Sequence, residues 1–150
     1  MGWTNSHLHS FITSDSEISE ISEFWEYDPE DKPLDAATIR IDSVFLDKKM
    51  KITYLYDFGD NWVHEILVED FLPRDGKTNY PICTGGKSNC PPEDVGGIYG
   101  FYDLLDIIKD ENHPEYEEML EWLGDDYDPK YFDKDEINKM LATLRYSGSK

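Results

Sequence analysis

Three of the four histidines stand in spacings that could do chemistry. His7 and His9 form a His-x-His pair inside residues 6–13, a run that reads as a β-strand. On a strand, positions i and i+2 share a face about 6.6–6.8 Å apart. Two imidazoles so placed can share a metal ion or a ligand. The alternative is two polar positions on a solvent face, or buried histidines with hydrogen-bond partners. Asp57, Asp60, Trp62 and His64 lie together in YDFGDNWVHE. Two carboxylates and an imidazole around one chain reversal suit acid–base work or a hard metal ion. The competing reading is structural: Asp and Asn tie turns down through backbone hydrogen bonds, and Trp62 anchors the turn in the core. Glu93 and Asp94 fall in CPPEDVGGIYG, where two prolines stiffen the approach and the glycines permit positive φ. That loop either covers a site or only carries the chain from sheet to helices.

The candidate functional cluster is therefore His7, His9, Asp57, Asp60, Trp62, His64, Glu93 and Asp94. Within it His7, His9, Asp60 and His64 are the metal-ligand candidates. A divalent ion such as Zn²⁺ or Mn²⁺ there could activate water, with Glu93 as base. Cys83 and Cys90 are separated by six intervening residues and form no C-x-x-C pair, so they read as ordinary thiols. The chain has no Walker A loop, nucleophile elbow, H-E-x-x-H helix or dinucleotide fingerprint.

The elements that must position these residues are legible in part. Residues 51–58 alternate and are rich in β-branched and aromatic side chains. Gly59-Asp60-Asn61 is turn chemistry, and residues 63–71 return as a second strand. This predicts a central β-hairpin in which Tyr54, Tyr56 and Phe58 share one face and Asp57 the other. Short β-type runs are also expected at 38–41 and 80–83, with a helical turn capped near Asp42-Ser43. Residues 85–100 read as loop. Three apolar stripes at helical spacing follow, around Phe101–Ile108, Tyr116–Leu123 and Ile137–Leu144. Pro114 suits the first turn of the second helix, and Asp133 with Glu136 reads as a capping box for the third. The fold class is α+β: an antiparallel sheet with a central hairpin, then three C-terminal helices. Residues 14–35 hold nine acids against Lys32 and read as a solvated excursion, with Ile18, Ile21 and Trp25 at the spacing of a short amphipathic turn.

Composition limits the function. The 150 residues fit a single domain over 1–150. Hydrophobic residues make up 39%, enough for a core despite the charge. The net charge of −19 argues against docking on a nucleic-acid backbone or an anionic membrane surface. No apolar run approaches a membrane span, no secretory signal opens the chain, and a cytoplasmic location is expected. Gly2 with Ser6 matches a myristoylation pattern, which we read as coincidence. A strand so close to residue 1 predicts that the domain is short of its first elements.

Taken together, GWTNSHLHSF, YDFGDNWVHEI, YPICTGG, PPEDVGGIYGFYDLL and FDKDEINKML resemble the plasmid pRiA4b ORF-3-like family, whose members are often labelled transposon-passenger TnpR-like proteins. The resemblance covers nearly the whole chain, least in 14–35. It implies an α+β domain, a mobile-element association, and a usual N-terminal segment that is not matched here. It brings no catalytic residues with it. The family's recurring positions correspond to His7, His9, Asp57, Gly59, Asp60, Trp62, His64, Pro92, Glu93, Asp94 and Gly97. Val95 stands where the family often has cysteine, which argues against thiol chemistry. The recombination label does not suit this chain: Arg40, Arg74 and Arg145 are its only arginines and are far apart in sequence.

Three functions follow. The first is an acidic interaction or accessory module for a basic protein partner, which a negative domain steers quickly. The second is a metal-binding domain or metal-assisted hydrolase. The third is a DNA mimic or mobile-element accessory protein. The sequence leaves the oligomeric state open.

Overall fold

The computed structural model describes residues 2–21, 26–30, 32–78, 80–124 and 127–144. Five strands form one sheet: β1 (His9–Ile12), β2 (Glu17–Ser19), β3 (Leu34–Asp35), β4 (Lys51–Tyr56) and β5 (Trp62–Leu67). Their order is β3-β2-β1-β4-β5. All pairings are antiparallel except β2 with β3. A single helical turn, α1 (Ile41–Val44), precedes β4, and three helices follow the sheet: α2 (Gly97–Ile107), α3 (Tyr116–Leu123) and α4 (Lys134–Leu141). The chain is thus α+β, with the expected hairpin and three C-terminal helices.

The hairpin is β4 with β5, in register Tyr54 to His64 and Tyr56 to Trp62. It ends at Leu67, short of Phe71. β1 starts at His9, so His7 lies in the approach to the strand. β1 occupies the middle of the sheet, flanked by β2 and β4. His9 pairs with Tyr56 and Phe11 with Tyr54. One face therefore carries His9, Phe11, Tyr54, Tyr56, Trp62 and His64 in adjoining positions, because side chains alternate along each strand. Phe11 and Tyr54 rings lie 4.8 Å apart on it. Ile18, Ile52 and Tyr56 on the sheet and Leu104 on α2 are the buried hydrophobic residues, and Trp62 meets Phe101 between β5 and α2.

Several expectations are corrected. The acidic stretch is not wholly an excursion. Ile18 lies buried on β2, paired with Phe11, so its spacing to Ile21 does not reflect a helix; Trp25 falls outside the described residues. Residues 38–41 are turn and helix entry rather than strand. Asp35 turns the chain: its carboxylate accepts from Ala37 N and its carbonyl from Thr38 N and Oγ1. Residues 80–83 are irregular; there Cys83 is held by Asn138 of α4, whose side chain bonds both its N–H and its carbonyl. α2 begins at Gly97, inside the stretch read as loop, because Gly96 takes the left-handed conformation (φ 87°) that starts it. Pro114 precedes α3 rather than entering its first turn. Asp133 does cap α4, accepting from Asp135 N and Glu136 N. Glu136 does not complete the box, since its carboxylate accepts from Tyr131 Oη at 2.8 Å.

Candidate functional site

The site is assembled where β4 ends. Asp57 follows the strand with φ 56°, a left-handed conformation that Asp tolerates better than most residues. That conformation breaks the alternation expected for position 57. The Asp57 N–H donates to Leu8 O (2.9 Å), its carbonyl accepts from Asn61 N (2.6 Å), and its Oδ1 accepts from Gly59 N (2.9 Å). The carboxylate is thereby fixed with Oδ2 3.7 Å from His7 Nδ1. Asp57 is only 7% exposed.

The second half of the site comes from the PPED loop, which the hairpin turn holds in place. Asp60 Oδ2 accepts from Gly96 N at 3.1 Å. Gly97 (φ 67°) presses against the same turn so closely that a Cβ would lie 2.3 Å from Asp60 O. Trp3 ties the loop from the other side, donating its Nε1–H to Pro91 O at 2.8 Å. Glu93 and Asp94 are thus delivered to His7, whose Nε2 lies 3.7 Å from Glu93 Oε2 and 3.3 Å from Asp94 Oδ1.

Glu93 is itself oriented. Tyr56 Oη donates to both of its oxygens (3.1 and 3.2 Å), and Thr4 donates to Oε1 from N (2.8 Å) and Oγ1 (3.1 Å). Tyr56 is 1% exposed and stacks on Trp3 with ring centroids 4.7 Å apart, while the His7 ring meets its edge at 5.9 Å. One imidazole therefore stands between Asp57 on its Nδ1 side and two carboxylates on its Nε2 side. One donor atom each from His7, Asp57 and Asp94 falls within 4.8 Å of the others.

Of the eight candidates, the fold brings His7, Asp57, Glu93 and Asp94 together. Asp60 braces the PPED loop. Trp62 packs against Trp3 (5.5 Å) and Phe101 of α2 (6.4 Å). His64 Nδ1 lies 3.2 Å from Tyr54 O and its ring meets the Trp3 ring at 5.4 Å. His9 lies among Phe11 and Tyr54, with Nδ1 buried and unbonded among the described residues. His7 and His9 do share a side of the sheet, over Tyr56 and Tyr54 respectively, but each has its own neighbours. Tyr56, Trp3 and Thr4 are the site residues that pattern reading passed over. Tyr56 read as an ordinary strand aromatic, and its adjacency to Asp57 was the one available signal.

Cys90 stands beside the cluster as packing. Burial pushes its thiol up from the usual range. The neighbouring Tyr127, whose Oη donates to Cys90 O at 3.2 Å, is pushed up to about 12 by its own burial.

The comparisons agree with this architecture. An uncharacterized protein, y4hQ, from Sinorhizobium fredii (strain NBRC 101917 / NGR234) is 38% identical over 146 residues, spanning 96% of this chain and 73% of that one. The crystal structure of the protein of unknown function MM3350 from Methanosarcina mazei Go1 superposes with a TM-score of 0.77 at 37% identity, covering 91% of this chain and 75% of that one. No helix among the described residues is long and apolar enough to cross a membrane. The model of the plasmid pRiA4b ORF-3-like proteins matches residues 1–136, and the chain belongs to that family.

Proposed function

We propose that this domain binds a divalent metal ion through His7 Nε2, Glu93 and Asp94, with Asp57 positioning the imidazole from behind. The observation that carries the reading is the donor spacing on one side of the ring, 3.3 Å to Asp94 and 3.7 Å to Glu93. Two donors each about 2.0–2.2 Å from one ion stand about 2.8–3.6 Å apart in octahedral or tetrahedral geometry, a spacing that His7 Nε2 has to Asp94 and approaches to Glu93. An acidic group behind a ligating histidine is the usual arrangement for fixing its ring and tautomer. One imidazole with carboxylates suits Mn²⁺ or Zn²⁺ better than Mg²⁺, which prefers oxygen donors alone. Asp94, with its side chain 73% exposed, leaves the solvent side of the ion open to water or substrate. An ion so held would lower the pKa of a bound water, the first requirement for metal-assisted hydrolysis.

The test is elemental analysis of protein purified without chelator, together with Tm with and without EDTA. Stoichiometric metal and a Tm that falls on chelation are expected, since a ligand that binds only the native state stabilises it. Metal-free protein whose Tm is indifferent to EDTA and to added Mn²⁺ or Zn²⁺ would leave the cluster as scaffolding. The reading as an interaction module for a basic partner draws its support elsewhere, from the acidic surface of α2 and α3.

A further inference from the structure

A cavity of about 240 Å³ opens between α2 and α3, with Asp94 at one edge and Asp103 at another, and with Leu104, Ile107, Met119 and Trp122 among its walls. Small-molecule sites run to about 300–1,000 Å³, so this one is sized for a single side chain. Its walls are apolar and aromatic, yet two carboxylates stand at its rim. The Asp103 carboxylate has no hydrogen-bond or ion-pair partner among the described residues. Residues 97–123, which contain both helices, carry eight acids against Lys109 alone, and Lys109 is already engaged by Asp106 at 2.9 Å. An apolar slot with an indole wall and one carboxylate, Asp103, free of a partner among the described residues complements one kind of side chain. That is a long aliphatic stem ending in a cation, which can bury its methylenes, lie over the indole and place its charge at the rim.

We propose that this groove receives a lysine or arginine side chain presented by a basic peptide segment of a protein partner. Asp103 pairs with the cation and Trp122 carries the stem. The metal cluster shares only Asp94 with the groove, so the inference does not rest on the metal reading. It turns the general acidity of the chain into a defined point of recognition: electrostatic steering brings a basic partner near, and the groove selects one of its side chains.

The experiment is fluorescence anisotropy of a fluorescein-labelled (Gly-Arg) repeat peptide in EDTA at about 0.15 M ionic strength, where long-range attraction is largely screened. The control peptide has citrulline, neutral and of the same shape, at each arginine. The arginine peptide is expected to bind and the citrulline peptide not to. Asp103→Asn should weaken binding about tenfold, the loss expected for one charge-assisted contact, and Trp122→Leu should weaken it as well. Asp75→Asn makes the same change in net charge on a remote loop and should leave affinity unchanged. Circular dichroism checks that each variant is folded. Absence of binding, equal binding of both peptides, or equal loss in Asp103→Asn and Asp75→Asn would overturn the proposal. Because chelator is present throughout, a failure here says nothing about the metal, and a failed metal measurement says nothing about the groove.

Discussion

Replacing Tyr56 with phenylalanine removes one oxygen from the most enclosed part of the site. The Tyr56 hydroxyl donates to both oxygens of Glu93 at 3.1 and 3.2 Å, within a residue that is 1% exposed. A hydrogen bond to a charged group contributes about 1.5–3 kcal/mol. These two are long for O–H···O contacts, which cluster near 2.7–2.8 Å, and Glu93 keeps its two bonds from Thr4. The loss therefore belongs at the low end, about 1.5 kcal/mol, or a Tm drop of about 3–6 °C for a chain of this length. The phenyl ring retains its stack on Trp3, so Tyr56→Ala should cost more, about 3–5 kcal/mol, through the cavity it leaves. The decisive assay is metal affinity. Freed from Tyr56, the Glu93 carboxylate can rotate away from His7, and loss of such a supporting contact weakens metal binding about 10–100-fold. Thermal melts and calorimetric titration of Tyr56→Phe with Mn²⁺ read both quantities. A variant that melts like the wild type and binds metal equally well would refute the claim that Tyr56 orients Glu93.

Gly97→Ala should lose about 2–4 kcal/mol in urea unfolding, because the residue has φ 67° and its new methyl would meet Asp60 O at 2.3 Å, whereas Gly76→Ala, with φ 69° but open space around it, should lose only about 1 kcal/mol. Asp133 is held below the usual carboxylate range by the N–H groups of Glu136 and Asp135. Its stabilisation is thus fully present above the ordinary carboxylate pKa and fades as pH falls through the lower, folded-state value. Asp133→Ala should therefore lower Tm at neutral pH, with the gap to wild type closing in acid. Alkylation by iodoacetamide at mildly alkaline pH, followed by mass spectrometry, should modify Cys90 slowly, because burial both covers its thiol and keeps it protonated.

Much of the fold is legible in the sequence because its signals are long or local. Six alternating residues on β4, the Gly59 turn and the Asp133 cap each leave a mark that survives without tertiary context. β2 and β3 do not, having three and two residues and lying in an acidic stretch. Ile18, buried against the middle of the sheet, is their single trace. The site was legible as a set of residue types but not as a geometry. A strand face can be read from alternation, and His7, just before β1, does lie on the same side of the sheet as His9. Convergence cannot, because it depends on Asp57 leaving the strand at positive φ and on Asp60 clasping Gly96 36 residues away. Those two features, one of them a contact across 36 residues, separate His7, Asp57, Glu93 and Asp94 from His9 and His64. They also make Tyr56 a site residue, although its sequence context is that of any core aromatic.

The central claim is that one imidazole and its facing carboxylates hold a metal ion. Isothermal titration of chelator-stripped protein with Mn²⁺ and Zn²⁺, in the wild type and in His7→Gln, tests it most directly. The account predicts one ion per chain in the wild type, proton release on binding and weaker binding at acidic pH, and loss of that site in His7→Gln while the fold persists. No saturable binding in the wild type, or equal binding in His7→Gln, would contradict it.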